Sequence, residues 1–266
     1  MTGVTLDIGY AGLVLGYLLL IIPTSVALYY GVAILKELAI STLRMTVQLL
    51  FVGFYLHIVF KLNLWWLNLL WLLVMVVVAD VSIIQSVGFS LKRFLAPMFF
   101  SILVGTAIPL LYFIGVIVQV ENLFEAQYFI PIGGMIMGNC LRANIIGIGN
   151  FYKSIKKEEK PFLNLLAQGA SLKEAYLPFL REAYQSALAP TLATIATIGL
   201  VSLPGMMTGI ILGGTSPATA IKYQIAIMIA IFVGTSITVI TAILLTIKTS
   251  FTPYGTLDKS IFNKKK

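Results

Sequence analysis

Four methionines stand in two short runs, Met135 and Met137 in "PIGGMIMGN" (131–139), Met206 and Met207 in "SLPGMM" (202–207). Thioethers are soft ligands, better matched to copper(I) than to iron(II), which prefers imidazole and carboxylate. The same side chains also serve as adaptable packing. Asn139 closes the first run, and an amide in apolar surroundings needs a partner helix, a water or a solute. Pro204-Gly205 interrupts the second: proline removes a backbone donor and glycine loosens the chain. Such a break is tolerated in a membrane only where neighbours or a cavity satisfy the freed groups. Asp80 and Arg142 are the deepest charges, and charges at that depth pair, face water or reach for headgroups. Two readings stay open for them, a mutual ion pair and attraction of a cation by Asp80. Asp80, Met135, Met137, Asn139, Pro204, Gly205, Met206 and Met207 are therefore the candidate lining of a pathway, with no metal ligand set defined among them.

Other chemistry is poorly provided for. One histidine, His57, rules out a histidine cluster for zinc, and one cysteine, Cys140, rules out an intrachain disulfide. No Gly-x-x-x-x-Gly-Lys-Ser/Thr loop cradles nucleotide phosphates, so any ATP must be bound and hydrolysed by a partner chain. A proton or sodium relay would have to use Asp80 as its one well-buried acid. A membrane-embedded enzyme would lack a nucleophile–base or metal constellation.

The elements that must position these residues follow from composition. The 266 residues are 59% hydrophobic and 11% charged, against about 25% charged in soluble domains. Mean hydropathy is +0.98. Seven apolar stretches emerge, roughly 9–30, 42–60, 64–86, 95–118, 127–149, 184–212 and 218–247, each long enough to cross a bilayer. The start carries no basic n-region, so the first stretch reads as a retained helix. Lys36 and Arg44, Lys92 and Arg93, and Lys153, Lys156, Lys157, Lys160, Lys173 and Arg181 fall on alternate connections, with more lysines in the tail 248–266. The net charge of +8 thus reports orientation rather than nucleic acid: N-terminus outside, C-terminus cytoplasmic. Trp65, Trp66, Tyr112 and Tyr128 sit near the outer edges. The fold class is all-α, a polytopic integral membrane protein of about seven transmembrane helices in a single domain spanning 1–266.

Two segments lie between spans. "GVAILKELAISTLR" (31–44) is amphipathic, either an interfacial helix or an extension of the second span. The cytoplasmic loop 149–183 reads as two short helices around a Gly-Ala turn. Gly169 suits a helix C′ position, and Ser171 with Glu174 fits a capping box. Pro178 is expected to limit the second helix. Gly134 and Gly138 have the spacing of a close helix contact.

The stretch "LAQGASLKEAYLPFLREAYQSALAPTLATIATIGLVSLPGMMTGIILGGTSPATAIKYQ" (166–224) resembles the matching region of FetB-type permeases, and "PIGGMIMGN" resembles the family's Pro-Ile-x-Gly-Met-Ile-x-Gly-Asn signature. That family includes bacterial iron-export permeases and plant permeases linked to aluminium tolerance. The resemblance implies the membrane subunit of an ABC transporter, working as a homodimer with a cytoplasmic ATPase. The segment Gly169, Ala170, Ser171, Glu174 would be its coupling contact. It implies export of iron or another metal, or alternatively of a nucleotide-sugar or cell-envelope precursor, across the cell membrane. Two departures stand out: Leu165-Leu166-Ala167 replaces the Glu-Ala-Ala of importer loops, and Ser216-Pro217 replaces an Asp-Pro.

Overall fold

Hydrocarbon leaves a backbone no partner but itself, so an apolar chain of this kind must be helical. The computed structural model describes residues 8–262, and no β-strand occurs among them. In order come α1 (Tyr10–Leu18), α2 (Ile21–Tyr29), α3 (Leu35–Leu62), α4 (Trp65–Val87) and α5 (Leu91–Tyr112), which a π-helical turn, Phe113–Val118, extends. Then follow α6 (Ala126–Lys157), α7 (Glu159–Ala167), α8 (Leu172–Thr197), α9 (Gly205–Leu212) and α10 (Pro217–Ser250). Residues 264–266 of the basic tail lie outside the described residues.

Six segments among the described residues are long and apolar enough to span a bilayer: Tyr10–Tyr29, Leu35–Leu62, Trp65–Val87, Leu91–Val118, Ala126–Lys157 and Pro217–Ser250. The predicted span 184–212 is not one helix. It divides into the end of α8 and the short α9, joined by residues 198–204. The break precedes the proline. Ile198 is extended and Gly199 takes φ +87. The Gly199 N–H then bonds the Ser202 carbonyl at 2.9 Å. Pro204 is the N-cap of α9, where a missing N–H costs little.

Two further expectations change. Residues 35–44 belong to the continuous α3, so the extension reading of 31–44 holds over the interfacial one. The second helix of loop 149–183 is not short, because α8 runs through both Pro178 and Pro190. Ala175, Phe179, Ala183 and Ala187 are buried along it, and this packing holds the rod together where a proline removes one hydrogen bond.

Helices α4, α5, α6, α8 and α10 form the packed bundle, with α6 and α10 against most of the others. Close approach is set by glycine at particular points. A Cβ on Gly105 of α5 would stand 2.6 Å from Thr238 Cβ of α10, and one on Gly234 would stand 2.7 Å from the Gly105 carbonyl oxygen. Gly147 of α6 admits Ala187 of α8 and Val239 of α10 in the same way. Gly134 and Gly138 make no such crossing: the first would meet only the tip of Met75 and the second nothing within 4 Å. Polar ties lock the bundle, Asn144 Nδ2 donating to Thr238 Oγ1 at 2.9 Å and Tyr152 OH to Thr246 Oγ1 at 2.8 Å. Buried residues are sparse in α1, α2 and α3, where only Ala27 and Val59 are covered.

At the lysine-bearing end of α6, the segment after α10 folds back over the helix ends. The Ser90 N–H donates to the Ile261 carbonyl, and Arg93 pairs with Asp258 at 2.5 Å. Lys259 pairs with Glu159 at 3.0 Å, and Phe251 packs against Phe162 of α7. The Ser260 hydroxyl and N–H, then Arg93, hold the Asp258 carboxyl down at about 2. A depressed carboxylate stabilises the fold above its ordinary value of 3.8 and loses that contribution as pH falls through about 2. This clasp is therefore constant across the physiological range.

Candidate functional site

The α-helical repeat decides which predicted residues meet. Met135, Asn139, Arg142 and Ile146 recur every three or four positions on α6 and so share one face. That face looks into a cavity of about 660 Å³. Ala187, Pro190, Thr191, Thr194 and Ile198 of α8 and its end form a second wall. Gln224, Ile227, Met228 and Ile231 of α10 form a third, and Ser202, Pro204, Gly205 and Met206 close the space. Five of the eight candidate pathway residues thus converge: Met135, Asn139, Pro204, Gly205 and Met206.

The other three do not. Met137 lies two residues from Met135, about 200° around the helix, and lines a separate groove with Met75 and Gly138. Met207, one residue from Met206, is turned about 100° around α9 and lines a neighbouring hollow with Ile195 and Ile225. Asp80 is fully buried in α4, and neither carboxylate oxygen has a hydrogen-bond partner among the described residues. It lines none of these hollows and makes no ion pair with Arg142. The two ion pairs among the described residues are Arg93–Asp258 and Lys259–Glu159. Asp80 and Arg142 have similar depths, but Asp80 points into the bundle core while Arg142 is exposed on the cavity face of α6.

The polar inventory of the cavity is small. Asn139 Nδ2 donates to the Met135 carbonyl at 2.8 Å, which leaves its side-chain oxygen for the cavity. Thr194 Oγ1 donates back to the Pro190 carbonyl at 2.9 Å. Gln224 and Thr191 are buried side chains on the lining. Neither the Gln224 role nor the Arg142 exposure emerged from the sequence reading. The available signal for the former was an amide placed at the end of "AIKYQ" in an otherwise apolar span.

A second feature stands at the far end of α8. The Ala170 N–H bonds the Leu165 carbonyl at 3.1 Å and the Gly169 N–H bonds Leu166 at 3.0 Å, a Schellman stop for α7. Gly169 adopts φ +91, which glycine alone accepts without strain. The capping box then starts α8. Glu174 Oε2 accepts from the Ser171 N–H at 2.8 Å and Ser171 Oγ accepts from the Glu174 N–H at 3.3 Å. The Ser171 hydroxyl and backbone N–H hold the Glu174 carboxyl below the usual range. Ser216 caps α10 through the Thr219 N–H with Pro217 at the first turn, the same task an aspartate would perform there.

Helices of this length and hydropathy, wrapped around a polar-studded hollow, define a multi-pass, all-helical membrane protein. Residues 10–251 match the family described as "Uncharacterised protein family (UPF0014)", and the chain belongs to that family. It is 31% identical over 228 residues to a UPF0014 membrane protein of Synechocystis sp., covering 85% of this chain and 88% of that one. It is 32% identical over 234 residues to the probable iron export permease protein FetB of Escherichia coli, covering 88% and 89%. It is 32% identical over 228 residues to protein ALUMINUM SENSITIVE 3 of Arabidopsis thaliana, covering 85% and 82%. No solved structure matches it significantly.

Proposed function

We propose that this chain is the permease subunit of an ABC transporter in the cell membrane. It works as a homodimer, N-terminus outside and C-terminus in the cytoplasm. A separate ATPase subunit binds the nucleotide and docks on the corner formed by Gly169, Ala170, Ser171 and Glu174. The carrying observation is the continuity of α8: one helix of about 39 Å starts at that corner, capped by Ser171, and its far end lines the cavity through Thr191, Thr194 and the C-cap Ile198. ATP binding and hydrolysis shift the permease between two states only through different affinity of the ATPase for each. The cargo leaves through the cavity, and the name of the Escherichia coli relative favours iron or another transition metal as that cargo.

The test is purification of the tagged chain from its host in mild detergent, with the co-purifying proteins identified and counted. An ATPase at near one-to-one stoichiometry is expected, reduced severalfold by Gly169→Val or Glu174→Ala. Absence of any ATPase across several detergents would remove the ABC reading.

A further inference from the structure

Among the described residues, Arg142 is the one charged side chain lining the cavity. It lies seven residues, roughly 10 Å at about 1.5 Å per residue, inside the cytoplasmic end of the apolar stretch 127–149, while α6 itself runs on to Lys157. No carboxylate pairs with it, since the ion pairs involve Arg93 and Lys259. A guanidinium kept at that depth is costly unless it faces water or a counter-ion. Asn139, Thr191 and Gln224 add neutral polar groups to the same lining. Met135 and Met206 add thioethers, which bring no negative charge to offset the arginine. A bare divalent cation entering here would meet repulsion and no acidic ligand.

We infer that the cavity receives a small solute bearing a carboxylate or phosphate group, which Arg142 grips. This rests on the reading of the cavity as the pathway. It names the cargo class: an organic anion, or a metal carried inside an anionic complex. The guanidinium fork matches both oxyanions bidentately, and about 660 Å³ falls in the range of pockets that enclose whole small molecules rather than single ions.

The experiment measures binding of three probes to the purified full chain by calorimetry: inorganic pyrophosphate, citrate, and ferrous ion alone. The proteins are the wild type, Arg142→Gln, Arg142→Lys, and Arg44→Gln as a control for charge away from the cavity. Wild type is expected to bind pyrophosphate or citrate, and the one bound tells phosphate from carboxylate. Arg142→Gln should weaken that binding about ten- to a hundredfold, while Arg142→Lys keeps part of it and Arg44→Gln all of it. The inference fails if neither anion binds wild type. It fails equally if Arg142→Gln binds the anions unchanged, or if ferrous ion alone binds and Arg142→Gln tightens it. Counting co-purified ATPase on the same preparations separates the two ideas. An assembled ATPase without anion binding retains the permease reading and sinks this one, and anion binding without an ATPase does the reverse.

Discussion

Asp80 and Arg142 show how far a single position can be read. Hydropathy located both charges at matching depth, and their opposite signs suggested a pair. Depth along a helix axis carries no information about azimuth relative to a neighbouring helix, and the azimuths disagree: Asp80 is enclosed in the core and Arg142 is open to the cavity. The exchange Asp80→Arg with Arg142→Asp is accordingly expected to transport no better than either single substitution. Recovery by the double variant would restore the pair. The corner before α8 was the opposite case. Gly169 and the Ser171–Glu174 box were legible because a cap is decided within four consecutive residues. Met135 and Met137 mark the boundary between these cases, since the helical repeat alone separates them once the segment is known to be a single helix.

Among elements, the packing of α5 on α10 depends on two glycines that no local pattern flagged. Gly105→Ala would drive a Cβ to 2.6 Å from Thr238 Cβ and 3.0 Å from the Gly234 carbonyl oxygen. Backbone on the far side cannot yield, so a loss of about 1–3 kcal/mol is expected. Gly138→Ala, which meets nothing within 4 Å, should leave stability near wild type. Thermal unfolding in detergent reads the difference, and equal midpoints for the two variants would contradict the packing described. The sequence pointed instead at Gly134 and Gly138, because spacing within one helix is visible while the partner residue of a crossing is not. The interruption near 204 was legible as a Pro-Gly pair, yet its place was not. The chain leaves helix at Ile198 and Gly199, and the proline opens the next helix.

For the whole molecule, hydropathy was sufficient for class and for six of the spans, because the bilayer requirement acts on composition. Orientation rests on the distribution of lysine and arginine, and the fold makes it directly measurable. Cys140 is completely buried, so native thiol background is low and introduced cysteines report alone. A membrane-impermeant maleimide added to intact cells should label Thr215→Cys, between α9 and α10, and spare Tyr254→Cys, which should react only after permeabilisation. Labelling in the reverse pattern would invert the topology.

The tight contact of Gly147 with Ala187 gives α8 a fulcrum. From Leu172 to Ala187 is fifteen residues and from Ala187 to Thr197 is ten, arms of about 22 and 15 Å at 1.5 Å per residue. A rod so held is a lever. Were α8 to pivot there as a rigid rod, a sideways push of about 3 Å at the capped end would return at the cavity wall as about 2 Å in the opposite direction, by the ratio of the arms. Under the proposed ATPase docking, stroke would be traded for force, and a modest thrust at the corner would become a shorter, stronger squeeze on whatever occupies the hollow.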